Sequence, residues 1–532
     1  YMNNLETVYV PAVSYNDYVE RFTPYINNGR ILMSSNDEFV VSDGVLLQYT
    51  GEATDVTIPG TVEEISESAF KNNKKITSIT IGESVSKIGK SVFSGCTALK
   101  SVKLTDKITT IDNYAFNGCT ALSEITIPNS VETIGNYAFY KCTSLTGELV
   151  IPSSVKTIGD YAFAEDNKIT SITIKGNEDG TTIGNYSFQN ATGIKSLDLG
   201  NVTSIGSYAF NNCTSLSGKL TIPDSISTIK NRAFGNCKSI TEIKFSKNLD
   251  IINYETFSNC TSLKKITIPN NIKTIDNRAF YSCTGVTEIE LGTGLIQLGT
   301  DYRDYNNPFY YMTGVKKITF NTEKVPTTPC ADTFEYMNNL ETVYVPVDGY
   351  SDYVTRFSPY INNARIVMIS DSDFVIKDGV LLQYSGTDTD VVIPDNVTEI
   401  GDSAFKNNTN IKKVTFSKNI KKINQSAFYS CTNLETVIFN NLISSIGNSA
   451  FYGCTKLSGV LKISENTRSV GNYAFANCSS LTSVEIASNN EEIKIGDCSF
   501  QNDTSIKSIS LGNVTSIGKY AFDNCKGINT KV

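Results

Sequence analysis

A phenylalanine returns along this chain at steps of 22 to 25 residues, and that spacing restricts the fold more tightly than any other feature. The series runs Phe70, Phe93, Phe116, Phe139, Phe163, Phe188, Phe210, Phe234, Phe257 and Phe280. After a 29-residue step come Phe309 and Phe334; the series resumes as Phe405, Phe428, Phe451, Phe475, Phe500 and Phe522. The text between reads L-x-x-I-x-I-P-x-x-V-x-x-I-G-x-x-A-F-x-x-C. One such unit cannot bury its own apolar side, so a core can form only by stacking successive units.

Each part of the unit has a local reading. L-x-x-I-x-I alternates apolar and polar residues, the period of a strand with one buried face. In "ITIPNS" (125–130) Pro128 cannot donate a ladder bond and ends the strand. "VETIG" (131–135) predicts a second short extended piece. "NYAFYKC" (136–142) is too short for a stable α-helix and predicts one helical or 3-10 turn, with Ala138, Phe139 and Cys142 inward. The expected fold is therefore a right-handed repeat solenoid. Its short parallel strands are joined by short helical or 3-10 turns in coils of about 23 residues. With strands ~4.8 Å apart, roughly twenty coils would span on the order of 100 Å if unbroken.

A longer period overlies the short one. "YMNNLETVYVP" stands at 1–11 and again at 336–346, and "DGVLLQYTG" from Asp43 is answered by "DGVLLQYSG" from Asp378. Early positions correspond at an offset of 335 and later ones at 312, so the second copy lacks one 23-residue coil. Such an edit is tolerated only by a stack of interchangeable coils. Three parts are expected: 1–33 as the closing unit of a preceding tile, 37–368 as a complete tile, and 372–532 as a second tile cut within a coil. On this reading the sequence is a piece of a longer array. Within the closing unit a capping helix is expected over Tyr350 to Phe357, with Tyr353, Val354 and Phe357 facing inward. Pro359 ends it, and Gly349 stands where the first copy has the capping residue Ser14. An extended segment near 374–384 should open the next tile.

"LTSVEI" (481–486), "IPDSISTIKNRAF" (222–234) and "IGNYAFYKCTSL" (134–145) closely resemble the BspA-type leucine-rich repeats of bacterial and protist surface proteins. Segments 39–65 and 318–354 resemble the opening and closing units of such arrays. The resemblance implies an extracellular, cell-surface protein. It also implies adhesion to a protein or glycan of a host or neighbouring cell, with anchor and signal outside this sequence.

Composition narrows the chemistry. There is no histidine in 532 residues, which removes Ser-His-Asp and Cys-His nucleophile systems and the commonest zinc ligand. A net charge of −8, with basic residues scattered, argues against nucleic acid or an anionic membrane as partner. No apolar run approaches the ~20 residues of a membrane span. No cofactor is expected and no catalytic set stands out. Three functions are compatible with this sequence: an adhesion module, a spacer or lattice element associating tile to tile, and a carbohydrate-cleaving enzyme. The enzyme ranks last, because the outward strand positions are mostly Thr, Ser, Lys and Glu rather than paired carboxylates.

Eleven of the thirteen cysteines lie three residues after a framing Phe: Cys96, Cys119, Cys142, Cys213, Cys237, Cys260, Cys283, Cys431, Cys454, Cys478 and Cys525. Periodic placement predicts an internal column of free thiols packed as small apolar groups. In-register side chains run parallel and point the wrong way for an S–S dihedral, so disulfides are the lesser alternative. The insertion "DYRDYNNPFYYMTG" (301–314) holds Tyr302, Tyr305, Tyr310 and Tyr311, candidates for a partner-binding patch. The competing reading, and the favoured one, is that these rings fill the wider final coils.

Overall fold

The computed structural model describes residues 7–10, 18, 21 and 30–33, and then 37–532 apart from 177, 301–306, 329–333, 335, 362–363, 370–371, 488–491 and 529–532. The chain divides into two compact units, 1–366 and 367–532. The closing unit expected at 1–33 therefore lies mostly outside the described residues, and Tyr302 and Tyr305 lie wholly outside them.

Both units are solenoids of short strands in which like residues sit above like. In the first unit nine parallel strands pair in sequence order from Val45–Tyr49 to Thr228–Ile229. Ile88, Ile111, Ile134, Ile158 and Ile183 stand in one register. The strand Ile is buried and the Thr or Lys before it is not, the alternation of a half-buried strand. The L-x-x-I-x-I strands form a second wall, in shorter sheets such as Asp55–Thr57, Ser78–Thr80 and Ser101–Lys103. Between the walls the framing phenylalanines stack: Phe116 on Phe139 at 5.1 Å and Phe139 on Phe163 at 4.9 Å, both nearly parallel. The second unit repeats this, with Phe428 on Phe451 at 4.9 Å and Phe451 on Phe475 at 5.0 Å.

The segment expected as a helical turn is instead a run of overlapping β-turns. Within 135–142 the N–H groups of Ala138, Tyr140 and Cys142 bond three residues back, to Gly135, Tyr137 and Phe139. The alternate N–H groups of Tyr137, Phe139 and Lys141 bond across to Asp160, Ala162 and Ala164 of the next coil. A helix would send every N–H along its own axis and leave neighbouring coils unjoined. Serving both directions puts the outer two of these three residues, Tyr137 (φ 57°) and Lys141 (φ 60°), into the left-handed region. Each such residue costs roughly 1–2 kcal/mol, which the inter-coil bond and ring stacking offset.

In each unit the stack of coils opens with an antiparallel hairpin, which an all-parallel expectation does not include. Phe39–Ser42 pairs with Val45–Tyr49, and Phe374–Lys377 with Val380–Tyr384. The turn residues Asp43 and Gly44 both have positive φ, as the mirror-image two-residue turn demands. The hairpin lays an extra strand on the first coil, pairs its edge and sets Phe39 on Tyr49 at 5.1 Å.

At the far end of the first unit the helix falls where expected, over α1 (Tyr350–Phe357), followed by a 3-10 turn through Pro359. Gly349 supplies no side-chain cap. Tyr353 and Phe357 are buried, and Phe320 lies 5.0 Å and 5.6 Å from their rings. The Tyr353 hydroxyl donates to the Thr322 carbonyl at 2.9 Å, so the one polar group that the helix buries here is satisfied.

Candidate functional site

The outward side of the L-x-x-I-x-I wall is a broad polar surface on rigid, in-register backbone. In the first unit it carries alternating charge. Lys219 meets Glu242 at 2.5 Å, and Lys265 meets Glu288 at 3.4 Å and Glu290 at 3.2 Å. Lys317 lies 3.8 Å from Glu288 and 5.0 Å from the ring centre of Tyr344. These pairs are solvent-exposed and add little to stability. Their consequence is a mixed-charge pattern at fixed spacing, suited to steering and register rather than to holding the fold.

In the second unit the corresponding wall opens into a cleft of mixed polar and apolar lining. At Gly459, which has φ 82°, the register with the following strand shifts by one: Gly459 faces Leu481 and Val460 faces Ser483, with Thr482 left over. Strand Gly459–Ile463 pairs onward with Leu481–Ile486 but does not pair back with Thr436–Ile438. The gap is a cleft of about 590 Å³ lined by Val437, Ile438, Phe439, Val460 and Lys462, among others. Ile438 is 44% and Val460 47% exposed, where the first unit has Thr126 and Glu148 at the corresponding places. Bulges at Gly147 and Gly218 likewise coincide with breaks on their N-terminal sides. A further break, between Ile240–Lys244 and Lys265–Ile268, carries no such glycine.

Of the tyrosines singled out from sequence, two can be placed. Tyr310 is buried, its ring stacked on Tyr281 at 5.9 Å. Tyr311 is partly exposed, stacks on Tyr336 at 4.5 Å and meets Tyr310 edge-on at 5.1 Å. A larger aromatic feature went unread. The residue directly before each Ala-Phe forms a column along the turn edge, and in the first unit five consecutive members are tyrosines. Tyr114, Tyr137, Tyr161, Tyr186 and Tyr208 stack at 4.9, 4.6, 4.5 and 4.8 Å. Arg232 continues the column, 5.3 Å from the Tyr208 ring, and its guanidinium donates to the buried carboxylate of Glu255 at 2.9 Å. The repeated "NYAF" carried the signal, but only the Ala and Phe had been read as structural.

The thiol column offers no reactive site. The eleven periodic cysteines are free and buried, and their Sγ groups donate to a Phe carbonyl of the preceding coil, as Cys142 does to Phe116 at 3.2 Å. Burial pushes the thiols of Cys119, Cys142 and Cys213 well up and that of Cys237 to about 12, so they are neither thiolate nucleophiles nor metal ligands. Two rungs of the column hold aspartates instead, Asp166 and Asp503, both buried. Among the described residues no group of three His, Cys, Asp or Glu is placed to hold a metal. Nor is any helix among them long and apolar enough to cross a membrane.

Comparison with known proteins agrees with this architecture. The family model for the BspA type leucine-rich repeat region matches six times, over 46–170, 109–238, 181–306, 217–341, 381–494 and 490–531. Among solved structures the chain is similar to a leucine-rich repeat protein from Bacteroides ovatus, at 20% identity over 93% of this chain and 92% of that one, TM-score 0.24. It is also similar to a leucine rich cell surface protein from Faecalibacterium prausnitzii, at 20% identity over 90% and 93%, TM-score 0.26. A leucine-rich repeat protein of T. pallidum matches at 26% identity over 34% of this chain and 90% of that one, TM-score 0.31. No curated protein matches the chain.

Proposed function

The chain belongs to the BspA-type leucine-rich repeat family, and from that premise we propose that it is an adhesive interaction module displayed outside the cell. Its partner on this reading is a protein or glycan of a host or neighbouring cell. The observation that carries the reading is the outward strand wall of each unit: in register and of mixed charge in the first, and in the second opened by a cleft at which Ile438 and Val460 are exposed. Interfaces place apolar contacts at the centre and polar ones at the rim, and this wall supplies both. Repeated tiles would add avidity without requiring any one contact to be strong.

The test is a screen of the immobilised chain against matrix proteins and glycans. The bound partner should lose at least tenfold in affinity when Ile438→Asp and Val460→Asp are combined. Lys87→Ala, on the other wall, should leave binding unchanged. A panel without any saturable binder, or a binder indifferent to the double substitution, would overturn the proposal.

A further inference from the structure

The outward wall of the second unit changes sign from strand to strand. Lys412 and Lys413 stand at the head of Lys413–Thr415, and Glu435 stands just before Thr436–Ile438. Lys462 lies on Gly459–Ile463 and Glu485 on Leu481–Ile486. All five side chains are exposed. Asp390, one strand earlier, and Lys507, one strand later, continue the alternation. In the first unit such charges meet within the wall, as Lys219 meets Glu242 and Lys265 meets Glu288 and Glu290. Of the groups named here, among the described residues, only Lys462 and Glu485 meet, at 3.8 Å. The others keep their charge for something outside the unit.

The middle of the alternation is the cleft, with Ile438 exposed on one side and Val460 on the other. An apolar centre flanked by charges is the composition of an interface. The charges also select the partner. A glycan of one sign would be repelled at every second strand. The complement of an alternating row is the same row in reverse order. A two-fold axis running along the strands through the cleft makes that reversal. It sets the Glu435 strand against the Lys462 strand, and the Lys412–Lys413 strand against the Glu485 strand. Ile438 of each copy then comes to the Val460 side of the other. An axis across the strands would place each strand on its own copy, like charge on like.

We propose that this wall is a homotypic contact face whose partner is a second copy of this chain. The inference rests on the adhesive reading of the cleft and names its partner. Four strands ~4.8 Å apart and about five residues long present on the order of 300 Å² per copy, against ~800 Å² per partner in a stable complex. A single contact is therefore weak, and binding belongs to surfaces that carry many copies.

Beads densely coated with the full chain should cluster at about 50 mM salt, and clustering should fall at least about fivefold at about 500 mM. Lys412→Glu combined with Lys413→Glu, and separately Glu485→Lys, each turn an attraction across the two-fold into a repulsion. Beads of either variant alone should stay dispersed. Mixed together, the two variants restore opposite charges and should cluster as the parent does. General repulsion between acidic chains cannot give this result, because Glu485→Lys makes the net charge of −8 less negative. Dispersed parent beads, variants that cluster alone as the parent does, or variants that stay apart when mixed would each overturn the assignment. If parent beads stay dispersed while the matrix and glycan screen yields a binder that needs Ile438 and Val460, the second copy falls and the adhesive reading stands.

Discussion

Asp503 sits directly beyond Cys478 in the thiol column of the second unit, in a position where other coils place a cysteine. Neither of its carboxylate oxygens has a hydrogen-bond partner within the described structure. Burial lifts the carboxyl from an ordinary 3.8 to about 8. The groups that face it are the thiols of Cys478 and Cys525, which are themselves pushed up by burial and carry no positive charge. Asp503 is therefore held as the neutral acid.

A pH dependence with a definite sign results. Below about pH 4 both folded and unfolded chains hold the proton. Between there and pH 8 only the folded chain does, so its stability falls as pH rises and levels off above 8. The loss is on the order of several kcal/mol. Asp503→Cys restores the column and should remove most of this slope. Urea denaturation at pH 5 and pH 8 would check it: the variant should gain more at pH 8, and equal gains at both would refute a neutral carboxyl. Asp166 is pushed up in the same direction by its burial, and the same substitution there should act alike.

Gly135 should prove more sensitive than the asparagine beside it. A Cβ on Gly135 would lie 2.6 Å from the backbone nitrogen of Asn113 and 2.7 Å from the Asp112 carbonyl carbon, so coils would have to part. Asn136, by contrast, is exposed and accepts one bond, from the Asp160 N–H at 2.7 Å, a donor that water can partly satisfy. Gly135→Ala should cost about 2 kcal/mol or more and Asn136→Ala about 1 kcal/mol, read by chemical denaturation. The reverse order would mean that the asparagine column, not close backbone approach, sets the spacing of the coils.

What could be read in the sequence was whatever burial makes periodic. Phe139, Ile134 and Cys142 recur because each fills an identical interior slot, so their spacing disclosed the coil and its inward face. The left-handed turn at Tyr137 was hidden, since its conformation serves a bond to Asp160 one coil away, and no local pattern records that demand. The opening hairpin was announced by Asp43-Gly44, a two-residue turn signal that parallel stacking had overshadowed. The candidate surfaces were least legible. The tyrosine column occupies a variable position of the motif, and the cleft depends on one extra residue, visible only as a 24-residue step from Phe451 to Phe475.

That extra residue can be removed. Gly459 has φ 82°, and a Cβ there would meet nothing within 4 Å, so glycine is needed for its conformation and not for space. Neighbouring coils 23 residues apart can pair in register, as Asp55–Thr57 does with Ser78–Thr80. Deleting Gly459 should therefore let the strand through Leu461 pair with Thr436–Ile438, close the cleft and bury Ile438 against its neighbour. Hydrogen exchange at 460–462 should slow at least tenfold in the deletion. Any partner that binds through the cleft should be lost. Unchanged exchange would show that the gap is held open by Phe439 and Asn440 rather than by the bulge.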